Sequence, residues 1–142
     1  MDKKEMKRLS IVCIAAALAA CSNTPVPTDQ AKEVSGSQLL TTAYSKAAED
    51  TGSVIIKRDA GQMGSLCNLY VFIDGKPLAK LYPEEKVTVH LAPGRHILSA
   101  DPRGACPGGM SEQTADIVKG ATQVFRGSFT SAGDFNLLPT AF

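Results

Sequence analysis

Hydrophobic and polar positions divide the chain into four regimes. Leu9 to Ala20 is an apolar run broken only by Ser10. Ser22 to Gly36 (SNTPVPTDQAKEVSG) is polar, carries two prolines and shows no apolar period, so it predicts a flexible tether. Gln38 to Asp50 places Leu39, Leu40, Ala43, Tyr44, Ala47 and Ala48 at helical spacing and is stopped by Gly52. That spacing predicts a short helix whose apolar face packs on a domain.

Beyond Gly52 the period becomes two. Ser53–Arg58, Asn68–Asp74, Leu78–Leu81, Lys86–Leu91, Arg95–Ala100, Glu112–Val118, Thr122–Thr130 and Phe135–Leu138 each read as a short strand. Asp74-Gly75, Pro93-Gly94 and Lys119-Gly120 supply turns between them, and Asp101 to Gly109 reads as a Gly/Pro-rich loop. No strand–helix alternation of the kind that builds a parallel sheet is present. The expected fold is mainly β, a small antiparallel sandwich or partly open barrel with the short helix in front.

The leading segment is not expected to belong to that domain. Lys3, Lys4, Lys7 and Arg8 outnumber Asp2 and Glu5, and the apolar run behind them is too short to cross a bilayer but suits a signal peptide. It ends in Leu18-Ala19-Ala20-Cys21, which resembles the lipobox of bacterial lipoproteins. The resemblance implies cleavage before Cys21 and several acyl chains on that cysteine, enough for stable anchoring. Ser22, where enterobacterial lipoproteins kept in the inner membrane carry Asp, implies the outer membrane. The expected organisation is signal peptide 1–20, tether 21–37 and β-domain 38–142.

Cleavage also changes the charge and the cysteine count. Without residues 1–20 the chain keeps 11 of its 15 basic and 12 of its 14 acidic residues, a net charge near −1 with no basic run. The electrostatic footprint of a nucleic-acid binder is missing. Cys13 leaves with the signal and Cys21 takes lipid, so Cys67 and Cys106 remain as an even pair in an oxidising compartment. A disulfide between them is expected. A metal site is not, because two isolated cysteines with His90 and His96 in strand-like surroundings lack ligand spacing.

Catalytic chemistry finds no motif. No Ser lies in G-x-S-x-G, and Asp74 and Asp101 are placed as turn and loop residues, with Asp116 the remaining nearby acid. Glu84 and Glu85 are adjacent and diverge if strand-like. Gly104, Gly108 and Gly109 lack the Lys-Ser of a phosphate loop. Binding is the better class: the 101–111 loop, pinned by the disulfide, carries Arg103 as the candidate contact residue. Tyr70, Phe72, Phe125 and Phe129 share sides within their strands and are expected in the core ahead of a ligand platform.

Val71 to Ala79 (VFIDGKPLA) and Leu91 to Leu98 (LAPGRHIL) resemble the Asp-Gly hairpin and the Pro-Gly-x-His turn of PEGA-type domains, although the Pro-Glu-Gly-Ala tetrapeptide is absent. The likeness covers about residues 53–130 and implies a compact PEGA- or Ig-like sandwich of a kind found in small envelope lipoproteins. Such motifs are structural and do not fix a function. Together the features lead to a non-enzymatic, lipid-anchored module without cofactor, expected to bind another envelope protein or to help maintain the membrane. A small-ligand or glycan module, or an inhibitor of a foreign hydrolase, is the alternative. A cell-wall hydrolase using His90 or His96 comes third.

Overall fold

The period-two stretches become strands. The computed structural model describes residues 23–142, so the expected signal peptide, Cys21 and Ser22 lie outside the described residues. The strands are β1 (Lys32–Glu33), β2 (Gly52–Arg58), β3 (Cys67–Ile73), β4 (Lys76–Leu81), β5 (Glu85–Leu91), β6 (Gly94–Gly104), β7 (Ser111–Ile117), β8 (Thr122–Phe129) and β9 (Phe135–Pro139). They form two sheets, ordered β1-β5-β2-β8-β9 and β4-β3-β6-β7. Most neighbours are antiparallel; β1 with β5 and β2 with β8 are parallel.

Alternation decides which side chains meet between the sheets. Val54, Ile56, Val87, Val89 and Phe125 from the first sheet pack with Leu69, Val71, Ile73, Leu98 and Ala100 from the second. Each large apolar side chain buried this way contributes about 1.5–3 kcal/mol. Gly127 leaves room at the centre: a Cβ there would lie 2.9 Å from both Leu69 and the Phe135 ring. The β3–β4 hairpin turns at Asp74 (φ 50°) and Gly75 (φ 74°), as Asp-Gly predicts.

The expected helix over Gln38–Asp50 does not form. Gly36–Gln38 make one 3-10 turn, and residues 39–50 run as bends and turns. The segment is too short to be helical alone, and sheet edges offer its backbone other partners. Leu40 N–H donates to Leu78 O at 2.9 Å, and Tyr44 O accepts from His90 N–H at 2.9 Å. Leu39 and Tyr44 still pack against the core.

Within the described residues the expected tether is part of the fold. Thr24 bridges Ala60, Val26, Ala31 and Val34 are buried, and β1 adds a strand to β5. Polar composition concealed this because a few small apolar residues suffice when an existing sheet supplies the other surface. The loop expected over 101–109 is likewise shorter, since β6 continues to Gly104 opposite Cys67.

Three consecutive charged residues close β2, and all three are buried: Lys57, Arg58 and Asp59. Arg58 faces inward and donates to the carbonyls of Gly64 (2.6 Å), Cys67 (2.7 Å) and Leu81 (3.0 Å). Burial pushes its guanidinium down to about 10, with Glu85 opposing, so it stays charged at neutral pH. Lys57, on the outward side, donates to the main-chain oxygens of Val26 and Phe142 and to Thr28 Oγ1. Asp59 accepts from Arg126 Nη1 at 2.9 Å.

Cys67 and Cys106 are joined, with Cα atoms 5.7 Å apart and a sequence separation of 39. A closed loop of that length restricts the unfolded chain by about 4 kcal/mol on the chain-entropy model. Replacing Cys67 by Ser therefore lowers the melting temperature by several degrees in non-reducing buffer. A melting curve that does not move would show that the bridge adds nothing to stability.

Candidate functional site

In a sheet packed on one side, every second residue is turned away from the core. On β3 the outward residues are Asn68, Tyr70 and Phe72, which alternate with the buried Leu69, Val71 and Ile73. The register sets Asn68 opposite Arg103, Tyr70 opposite Asp101 and Phe72 opposite Ser99 on β6. Tyr70 and Phe72 are thus half-buried on the outer face, not in the core as the strand pattern predicts. Phe125 and Phe129 are in the core, as expected.

Arg103 covers the two outer rings. Its guanidinium carbon is 4.7 Å from the centroid of Tyr70 and 5.5 Å from that of Phe72. Nε donates to Asp101 Oδ2 at 2.7 Å, which fixes the plane of the fork. Lys80 on β4 reaches the Tyr70 ring from the other side at 5.8 Å. Each exposed cation–ring contact contributes roughly 0.5–1 kcal/mol, so the arrangement holds shape without adding much stability. Further along, Ser99 Oγ donates to Glu112 Oε1 at 2.8 Å. The result is an outer-face patch of two half-buried aromatic rings and an oriented guanidinium.

Arg103 is therefore a strand residue, not the loop residue its glycine-rich surroundings suggest. The bend that follows, residues 105–110, is the part tied to β3 by the disulfide. Two clefts lie elsewhere, one lined by Thr122, Phe125 and Pro139 and one by Pro25, Arg126 and Phe142.

The titratable residues singled out in the sequence separate in space. Ser53 Oγ and His90 Nδ1 are 3.1 Å apart across β2 and β5, a pairing invisible in sequence; among the described residues no carboxylate bonds to that ring. Asp116 pairs with Arg95 at 3.0 Å on the surface. Glu84 stays exposed in its turn with φ 66°, while Glu85 opens β5 and accepts from Tyr82 N–H at 2.8 Å. Among the described residues no three His, Cys, Asp or Glu side chains gather as a metal site.

His96 and Asp74 do meet. His96 Nδ1 lies 2.7 Å from Asp74 Oδ2, and Nε2 lies 3.0 Å from the Ala92 carbonyl. With oxygen acceptors on both nitrogens, the doubly protonated ring is favoured. Partial burial lowers the His96 pKa, but the bonds to Asp74 and Ala92 outweigh it and raise the value above 6.5. Partial burial raises Asp74, but the Ile97 N–H and His96 outweigh it and hold the carboxyl below 3.8. Asp74 thus ties the β3–β4 turn to β6 as well as forming it.

The pair predicts a pH window. The histidine contribution is fully present below its unfolded value near 6.5 and is lost as pH rises through the higher folded value. The aspartate contribution is present above 3.8 and is lost as pH falls through the lower folded value. Replacing His96 by Ala should lower the melting temperature more at pH 5.5 than at pH 8.5. Equal losses at both pH values would contradict the charged pair.

Compared with models of known protein families, with curated proteins and with solved structures, the chain finds no match in any of the three.

Proposed function

We propose that the chain is a lipoprotein of the bacterial outer membrane, cleaved before Cys21 and acylated there. Its β-sandwich acts without catalysis, binding another envelope protein through the outer face of β4-β3-β6-β7. The observation that carries the binding part is the Tyr70–Phe72 pair under Arg103, half-buried on the outer face of that sheet. Aromatic and arginine side chains on a pre-ordered patch are what protein interfaces use as anchors. The likeness to PEGA-type hairpins in residues 71–79 and 91–98 supports a scaffold role.

The lipobox-like Leu18–Cys21 and the preceding apolar run support the anchor. Facing the periplasm or the cell surface, such a domain meets partners confined to the same membrane, so a modest patch suffices. A glycan is the competing ligand, because rings half-exposed on a sheet also stack on sugars.

The test is chemical cross-linking of the lipidated, tagged protein in intact envelopes. One or two envelope proteins should be captured, and Arg103→Ala or Tyr70→Ala should lose them while Val118→Ala, an exposed change elsewhere, keeps them. Capture indifferent to both site changes would overturn the assignment of this face. Loss of capture by free glycan would transfer the face to a carbohydrate ligand.

A further inference from the structure

One end of the sandwich has the composition of a membrane-contact surface. It is built from residues 60–66 (AGQMGSL), between β2 and β3, and from residues 104–111 (GACPGGMS), between β6 and β7. Neither stretch contains a charged residue. Together they expose Leu66, 79% accessible, and Met110, 53% accessible. Cys67, directly after the first stretch, is bonded to Cys106 in the second, and a Cβ on Gly104 would lie 3.1 Å from Leu66 O, so the two stretches are neighbours. Glu84 and Asp134 stand on the turns beside it. The opposite end, at the 74–75, 94–95 and 116–119 positions, carries Asp74, Arg95, Asp116 and Lys119.

The chain enters the fold beside the 60–66 stretch. Asn23 Nδ2 donates to Met63 O at 3.4 Å, a Cβ on Gly61 would lie 2.8 Å from the Asn23 Cα, and Thr24 pairs with Ala60. Asn23 is two positions after Cys21, and two extended residues span at most about 7 Å. A lipid on Cys21 therefore holds Asn23, and the loop it touches, within about one headgroup layer of the bilayer.

We propose that residues 60–66 and 104–111 rest on the membrane surface, with Leu66 and Met110 entering the boundary between lipid headgroups and acyl chains. This rests on acylation of Cys21. Burial of two apolar side chains at that boundary adds to the anchor, and the missing charges remove the cost of placing an ion there. The β-strands then stand away from the bilayer, and the Tyr70–Phe72–Arg103 face is turned sideways, toward proteins in the same membrane plane.

The chain contains no tryptophan, so one introduced tryptophan is an unambiguous reporter. Lipidated full-length Leu66→Trp and Met110→Trp, with Val118→Trp as the far-end control, would be reconstituted into phosphatidylethanolamine/phosphatidylglycerol vesicles with brominated acyl chains. All three sites are exposed, so the fold should tolerate them. Expected are blue-shifted emission and loss of most of it to bromine at positions 66 and 110, with neither at 118. Acylated protein that floats with the vesicles but shows unquenched, solvent-like emission at 66 and 110 overturns the orientation alone. Protein whose Cys21 carries no acyl mass and which does not float overturns the anchor reading as well.

Discussion

The structure depends on the buried Lys57 and Arg58 at the end of β2, because burial of a charge is expensive unless it is matched. Removing a charge from water costs several kcal/mol even after relaxation. Arg58 recovers this through carbonyls of residues 64, 67 and 81, and so ties the end of β2 to the start of β3 and the end of β4. One guanidinium thereby joins the two sheets and shapes the 60–66 loop. The Cys67 end of the disulfide hangs from the same carbonyl network.

Lys57 has the complementary task on the outer side. The register places it between Lys86 on β5 and Arg126 on β8, a row of three cations. Burial lowers the Lys57 ammonium's pKa, Arg126 and Lys86 lower it further, and Asp59 works against them. The row needs oxygen. Val26, Phe142 and Thr28 supply it to Lys57, and the Thr28 carbonyl supplies it to Lys86 at 2.6 Å. Residues 24–34 are held down by that demand, which brings the start of the described residues onto the body of the domain.

The strands were legible because alternation survives in sequence wherever one face is buried: KVTVHL and NLYVFID become β5 and β3 within a residue or two. The disulfide followed from cysteine count. The faces were less legible. Tyr70 and Phe72 alternate as regularly as a core pair, and only the burial of Leu69, Val71 and Ile73 at the other positions shows which side is inside. Residues 24–34 and 39–50 misled for a related reason: their structure comes from edges of sheets far away in sequence, which local pattern cannot report. Arg103 was found as a residue of interest but placed in a loop, since strand pairing carries β6 past its own Pro and Gly.

Residues 23–34 are a bound part of the domain, held by Lys57, and not a free tether. Amide hydrogen exchange reads this at Thr24, Lys32 and Val34, whose N–H groups donate to Ala60, Glu84 and Lys86 carbonyls. The account predicts protection at these three amides in the wild type. In Lys57→Met it predicts that protection there falls while the Leu69 and Val71 amides keep theirs. Exchange at unstructured-peptide rates in the wild type would contradict it.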